Sequence, residues 1–475
     1  MDESKISEIF ALNNALITAP AGHGKTEMIA DMVEYADGKQ LVLTHTNAGV
    51  NAISGRIKKR GIDMKKCEIT TIASYCAKWC SAYPVDTKTD DLLWKDRRGI
   101  KDFYQRLYSG TKKLFTHEWA KKVLQASYSG IIVDEYQDCQ KTQHDIFVTM
   151  NTCLPVRALG DPMQGIFSFG GDLVKWDEIP FQEVKIDTKP WRWLSTNPEL
   201  GYALMELRED LTSVLSGKAK VIDLTSYGDS IEVLSPEDIN PRYIMERAKN
   251  FENLVYLTQW PSQQLEVSKK MPGFQHDEKQ DLDELFLFAE RFDETDEGEL
   301  MLSFINFVST CATVVGAELD TYKKHLSSGD FDFGRITKNV EFGSLLLSLR
   351  GAKKTDVLLK MMEWMWAWPV FRRHLYRKEL FIVMGKSVRM AKNTGCSILN
   401  AAEQIRANPR YDSKESNARF LSSRTLLSKG LEFDCVILDL TSWQGIDVRN
   451  FYVALTRARK KVFIISNKTD VIFAV

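Results

Sequence analysis

The chain runs to 475 residues, 44% of them hydrophobic, with a formal net charge of −1. That length calls for several domains, and that apolar content excludes a disordered chain. The near-neutral balance does not advertise a nucleic-acid-binding protein, although a channel needs only local positive charge. The start, MDESKISEIF, is acidic and polar rather than a leader, and no apolar run reaches the ~18 residues of a membrane span. Eight scattered cysteines include no CxxC pair. Cys67, Cys76 and Cys80 form one loose cluster without a clear fourth ligand, so reduced thiols in a cytoplasmic protein are expected.

In chain order, NALIT predicts a strand that ends in APAGHGKT, Ala19 to Thr26, a Gly-rich loop opening a helix. QLVLT predicts a second strand. Residues 81–125 read as a small helical insertion. SGIIV then leads into VDEYQD, Val133 to Asp138, followed by Gln143, and VRALGD predicts a further strand. NLVYLTQW, Asn253 to Trp260, opens a second α/β region. Residues 271–410 are mostly helical by pattern, as in ELFLFAERF and DVLLKMMEWMW, and are numerous enough for a domain. The run MMEWMWAWPVF is too short for a membrane span, holds Glu363, and reads as a buried core helix. Strands alternating with helices argue for parallel α/β sheets.

Two motifs carry chemistry. The loop Ala21, Gly22, His23 and Gly24 lets backbone N–H groups converge on phosphate oxygens. Lys25 is placed to reach the β- and γ-phosphates, and Thr26 offers a hydroxyl to Mg²⁺ at a helix N-terminus that favours anions. Asp134 is the expected Mg²⁺ carboxylate, acting through water. Glu135 is the expected residue to orient or deprotonate the attacking water. The alternative, a Gly-rich turn plus a surface acidic pair, does not account for both motifs in this order.

Eight segments in order resemble the UvrD/Rep/PcrA branch of superfamily 1 helicases: APAGHGKT, LVLTHTNAGVNAI, TTIASYC, VDEYQDCQKTQ, ALGDPMQGIFSF, KPWRW, TLLSKGLEFD and NFYVALTRARKK. The resemblance spans residues 19 to 461. It implies an α/β fold of two RecA-like P-loop NTPase motor domains with two mostly helical insertions. The first motor domain is expected at 1–80 and 126–188, the second at 189–270 and 411–475, and the insertions at 81–125 and 271–410. By the same resemblance Gln164 senses the γ-phosphate, and Arg192 and Arg457 are arginine fingers. Trp191 stacks on the base, with core packing as its rival role, and Glu432 binds the ribose. Phe169 stacks on a base of single-stranded DNA, His45 stacks more weakly, and Thr44, Thr46 and Asn47 contact the DNA backbone, with buried structural roles as rivals.

Departures from the pattern matter as well. No glutamine precedes Gln40, so the family's adenine reader is missing, and use of dATP and GTP beside ATP is expected. Gly170 replaces an arginine beside the stacking aromatic, and Leu426 replaces a histidine. Size, compact insertions and motif variants are similar to the UvrD-like subunit of the Gabija anti-phage system. That resemblance implies a hetero-oligomer with an OLD-family (GajA-like) nuclease, detection of single-stranded or end-containing DNA, 3′ to 5′ movement and no membrane. A stand-alone repair helicase and a regulatory NTPase with little unwinding remain alternatives.

Overall fold

The computed structural model describes residues 2–87, 100–166, 173–186, 189–219, 221–277, 283–349, 353–407, 418–441 and 443–473. Two six-stranded sheets, parallel throughout, organise the chain. The first contains β1 (Asn14–Thr18), β2 (Gln40–Thr44), β3 (Cys67–Thr71), β4 (Gly130–Val133), β5 (Val156–Gly160) and β6 (Glu183–Val184), in spatial order β3-β2-β4-β5-β1-β6. Between the sheets along the chain lies β7 (Val221–Asp223), which pairs antiparallel with β14 (Asp470–Ile472). The second contains β8 (Ile231–Leu234), β9 (Leu254–Thr258), β10 (Phe274–His276), β11 (Phe420–Arg424), β12 (Phe433–Asp439) and β13 (Ala458–Ile465), in order β10-β11-β9-β12-β13-β8.

Parallel sheets are covered on both faces, so their strands read as near-continuous apolar runs. The period of two still sorts those residues. In the first sheet Leu41, Leu43, Ile131, Val133 and Val156 pack into one core. Their neighbours Val42, Ile132 and Leu159 pack into the other. In the second sheet Val255, Leu257, Val436 and Leu438 face one core, and Leu254, Tyr256, Cys435 and Ile437 the opposite one.

The helices Ile100–Phe115 and Glu118–Ser127 lie in the stretch read as a small insertion. They contribute Leu107, Leu114, Phe115 and Leu124 to a core shared with the first sheet rather than building their own. The long helical stretch differs. From helix Asp283–Glu294 to helix Ile398–Ala407 it encloses a separate core built on Phe292, Phe304, Phe307, Phe342 and Met361. The strand Phe274–His276 precedes it and pairs with Phe420–Ser422, so it belongs to the second sheet. MMEWMWAWPVF breaks at Trp368 between helices Lys354–Ala367 and Pro369–His374; Met361, Met365 and Phe371 are buried and Trp366 is exposed. Among the described residues no helix is long and apolar enough to cross a membrane.

Candidate nucleoside triphosphate site

Ligands of open α/β sheets bind at the carboxyl ends of the strands. Here β1, β2, β4 and β5 end together on one edge of the first sheet. Facing that edge are residues that precede strands of the second sheet: Lys429 and Glu432 before β12, and Arg457 before β13. The cleft between the two edges has a volume of about 1370 Å³.

The loop after β1 is tied to β5 by Ala19 N–H donating to Gly160 O at 3.0 Å. Gly22 and Gly24 hold φ of 70° and 85°, a left-handed backbone that residues with a β-carbon rarely adopt. His23 is buried, with Nδ1 2.7 Å from Ala21 O, so its ring braces the loop from behind. Burial lowers its pKa, which keeps the imidazole neutral. Lys25 and Thr26 begin helix Lys25–Tyr35 and line the cleft, and Lys25 Nζ donates to Ala19 O at 3.1 Å.

Asp134 closes β4, its N–H donating to Leu43 O at 2.8 Å. Its side chain is buried, and Oδ1 has no hydrogen-bond partner. Burial, and then the neighbouring carboxylate of Glu135, push its pKa upward. A buried carboxylate oxygen left open in this way, with the Thr26 hydroxyl lining the same cleft, fits a divalent cation that keeps most of its waters. Glu135 sits at φ 54°, a strained backbone for a residue with a side chain. Burial raises its pKa, but Lys25, Lys429 and a hydrogen bond from Gln137 outweigh that and hold it below the usual carboxylate range.

Gln137 lies inside VDEYQD, and its role is set by the fold rather than by the local pattern. Its Nε2 donates to Glu135 Oε2, and its Oε1 accepts from Asp161 N–H at 2.9 Å. It therefore joins the carboxylate at the end of β4 to the segment after β5. Asp161 in turn accepts from Gln164 Nε2 at 2.9 Å and from Arg208 Nη2 at 2.5 Å.

Three cations enter from the second unit. Arg457, buried, donates through Nε to Val453 O at 3.0 Å and through Nη2 to Gln164 Oε1 at 3.3 Å. Burial, then repulsion from Arg192, lower its pKa to about 10, which leaves it cationic at neutral pH. Arg192 pairs with Glu432 at 2.7 Å and donates to Thr456 O at 2.5 Å. Its backbone N–H reaches Gly22 O of the loop at 3.1 Å. Lys429, the second residue missed from sequence, pairs with Asp138 and donates to Gln164 O at 2.6 Å. These bridges join positions nearly three hundred residues apart, which no local pattern reveals. Trp191, exposed, lies beside Gly24 and lines the cleft together with Glu432.

The residues assigned to DNA fall differently. Thr44 is 1% exposed at the end of β2 and lines the cleft. His45 lines the nucleotide cleft, with Nε2 3.6 Å from Cys139 Sγ. Burial, then Lys429, lower its pKa to about 4. Its side chain is half-buried on the cleft wall. Thr46 caps helix Asn47–Lys59 by accepting from Gly49 N–H at 3.1 Å, and Asn47 is the first residue of that helix. Phe169 and Gly170 lie outside the described residues. Cys67, Cys76 and Cys80 are free thiols, and among the described residues no His, Cys, Asp and Glu group is placed to hold a metal as a cluster.

The family model of an AAA domain matches residues 3–170, and that of a UvrD-like helicase C-terminal domain matches residues 427–465. The chain resembles UvrD-like helicases of superfamily 1. The first match carries Lys25, Asp134, Glu135 and Gln164 and the second carries Lys429, Glu432 and Arg457, so one wall of the cleft falls within the AAA-domain match and the other within the UvrD-like match. Gabija protein GajB from Bacillus cereus (strain VD045) is 28% identical over 191 residues, taking in 33% of this chain and 38% of that protein. The match therefore spans well under two thirds of that relative's length. Two solved structures were also found similar. One is an Arterivirus nonstructural protein 10 (helicase) complex with DNA, at TM-score 0.35 and 9% identity over 98% of this chain and 63% of that one. The other is PRRSV helicase, at TM-score 0.36 and 10% identity over 98% and 55%. Those scores are too low to bear on function.

Proposed function

We propose that the chain is a DNA-dependent nucleoside triphosphatase that moves 3′ to 5′ on single-stranded DNA and serves as the DNA-sensing subunit of an anti-phage nuclease complex. The observation that carries the hydrolase reading is the contact of Arg457 with Gln164 across a cleft that also holds Lys25, Asp134 and Glu135. In this reading the loop 21–24 and Lys25 hold the triphosphate. Asp134 and the Thr26 hydroxyl hold Mg²⁺, which supplies neutralisation of phosphate charge. Glu135 accepts the proton of the attacking water, with Gln137 fixing the carboxylate in position. Gln164 senses the γ-phosphate. Arg457, and Arg192 once released from Glu432, offset charge on the transferring group; a finger of this kind contributes on the order of 10³–10⁵ in rate. Trp191 and Glu432 face the base and ribose.

Loss of phosphate contacts after hydrolysis loosens the two edges, and DNA lying across both units moves one step per cycle. The partner reading, an OLD-family nuclease in a hetero-oligomer, is supported by the match to GajB alone. The replacements Gly170 and Leu426 favour a second reading, a regulatory NTPase with slight unwinding.

The test is hydrolysis of ATP, dATP and GTP with and without single-stranded DNA, for wild type and Glu135→Gln. DNA-stimulated turnover lost in the variant is expected. Turnover unaffected by Glu135→Gln would end the hydrolase assignment, and turnover indifferent to DNA would end the DNA-dependent one.

A further inference from the structure

The helices packed on the first sheet carry a surface that the nucleotide cleft does not use. Trp79 lies on helix Ile72–Ala82, Tyr83 ends that helix, and Trp119 is in the first turn of helix Glu118–Ser127. Their rings form a chain. Trp79 and Tyr83 stack with centroids 6.0 Å apart, Tyr83 and Trp119 lie 4.7 Å apart, and His117 stacks on Trp119 at 6.3 Å. The inner end is anchored, because Trp79 packs edge-on against the buried ring of Phe115 at 5.1 Å. The outer end is open, with Trp119 at 39% exposure. Rigid support beneath an exposed ring is what a stacking contact needs, since little side-chain freedom is then lost on binding.

Charge decides what such a ring meets. Between Ile100 and Ser127 the sequence has Lys101, Arg106, Lys112, Lys113, Lys121 and Lys122 against only Asp102 and Glu118, in a chain whose net charge is −1; of these, Lys112 pairs with Asp145 and Lys121 with Glu118. Lys122 is exposed and three residues beyond Trp119, hence on the same helix face. Interfaces between proteins are depleted in lysine, whereas nucleic-acid interfaces are strongly positive. Helix Ile72–Ala82 starts where β3 ends, at the edge of the sheet that holds the cleft, and at 1.5 Å per residue carries Trp79 roughly 10 Å and Tyr83 roughly 16 Å from that edge.

We propose that Trp119, Tyr83 and Trp79, with Lys122 beside them, form a stacking platform for single-stranded nucleic acid outside the nucleotide cleft. The platform rests on the reading of the chain as DNA-dependent. It takes any base, because every base presents a π-face, and it holds the backbone by charge.

The test is binding of the full chain to a labelled oligothymidylate, followed by anisotropy across a salt series. Trp119→Ala is expected to weaken binding about tenfold, which is about 1.4 kcal/mol. Trp119→Phe, which keeps a ring, is expected to bind like wild type. Lys122→Glu is expected to flatten the dependence of log affinity on log salt by about 0.7, the loss of one single-strand phosphate contact. Hydrolysis without DNA should be unchanged in all three. Trp119→Ala and Lys122→Glu both binding as wild type would overturn the platform while leaving DNA dependence intact. A wild-type chain that binds no oligothymidylate would overturn the DNA-dependent reading and the platform with it. Should Trp119→Ala prove unstable, Lys122→Glu decides, since an exposed lysine carries no core.

Discussion

Gly22→Ala is the most informative single change in the loop. A β-carbon built on Gly22 stands 2.5 and 2.8 Å from two ring atoms of Trp193 and 3.0 Å from Cβ of Arg192. Ordinary contact begins near 3.4 Å, so one side must retreat by about an ångström. Trp193 yields poorly: it is 1% exposed, and its Nε1 donates to Ala458 O at 2.7 Å. Holding alanine at φ 70° costs about 1–2 kcal/mol, and overpacking adds about 1–3 kcal/mol. A middle value of about 3 kcal/mol corresponds to roughly 150-fold in rate. The clash lies between the loop and the second unit, so it penalises the closed arrangement and should appear in kcat. Gly24→Ala is the control. Its φ is 85°, but the nearest atom is Trp191 Cδ1 at 3.3 Å, and Trp191, at 58% exposure, is free to swing aside. Only the backbone cost remains, about tenfold. Steady-state hydrolysis, with urea denaturation to confirm folding, tests the pair. Gly22→Ala turning over within a few-fold of wild type, or Gly24→Ala proving the worse of the two, would refute the reasoning.

Gln137→Ala removes both links between Glu135 and Asp161 and leaves a buried N–H without its partner, about 1–3 kcal/mol. Turnover should fall about ten- to a hundredfold with nucleotide affinity little changed; an equal loss in affinity would contradict the positioning role. Lys429→Met leaves Asp138, 1% exposed, without its cation. The unfolding free energy should drop by about 3 kcal/mol, and Lys429→Arg should restore part of it; a midpoint unmoved by Lys429→Met would count against the bridge. Burial and nearby cations lower the pKa of both His45 and His276 to about 4. Each ring is neutral in the fold and takes up a proton near pH 6.5 when unfolded. Their contribution is therefore complete above pH 6.5 and is lost as pH falls toward 4, on the order of 3 kcal/mol for each ring. Urea midpoints compared across that window should show a shallower slope in His45→Gln and His276→Gln than in wild type, and parallel slopes would exclude both rings.

The strands of the first sheet were legible because each is a short apolar run bounded by turn residues, and the runs NALIT, QLVLT, GIIV and VRALG are all strands. The loop and Asp134 were legible for the same local reason: their chemistry needs neighbours in sequence. The bridges made by Lys429 and Arg208 were not, because their partners Asp138 and Asp161 become neighbours only after both sheets have formed. Gln137 was visible in principle, as an amide two residues beyond the Glu135 carboxylate on a segment otherwise buried. His45 shows the opposite effect. A position compared with an aromatic reads as a stacking residue, but the strand end it occupies turns it toward Cys139 and the cleft.

The meeting of unlike edges, strand ends of one sheet against strand beginnings of the next, has a consequence for assembly. Two similar units joined head to tail do not close on themselves as a twofold pair does; repeated in separate subunits, that contact builds rings or filaments. Among the described residues the tethered series contains two such six-stranded sheets. The first sheet's carboxyl edge meets the second unit, whereas at the second sheet's carboxyl edge the end of β10 meets the helical stretch, His276 N–H donating to Tyr376 O at 2.7 Å. The chain thus has one composite seam between unlike sheet edges and a different, helical neighbour at the second carboxyl edge, a built-in polarity that a symmetric pair of the same folds would lack.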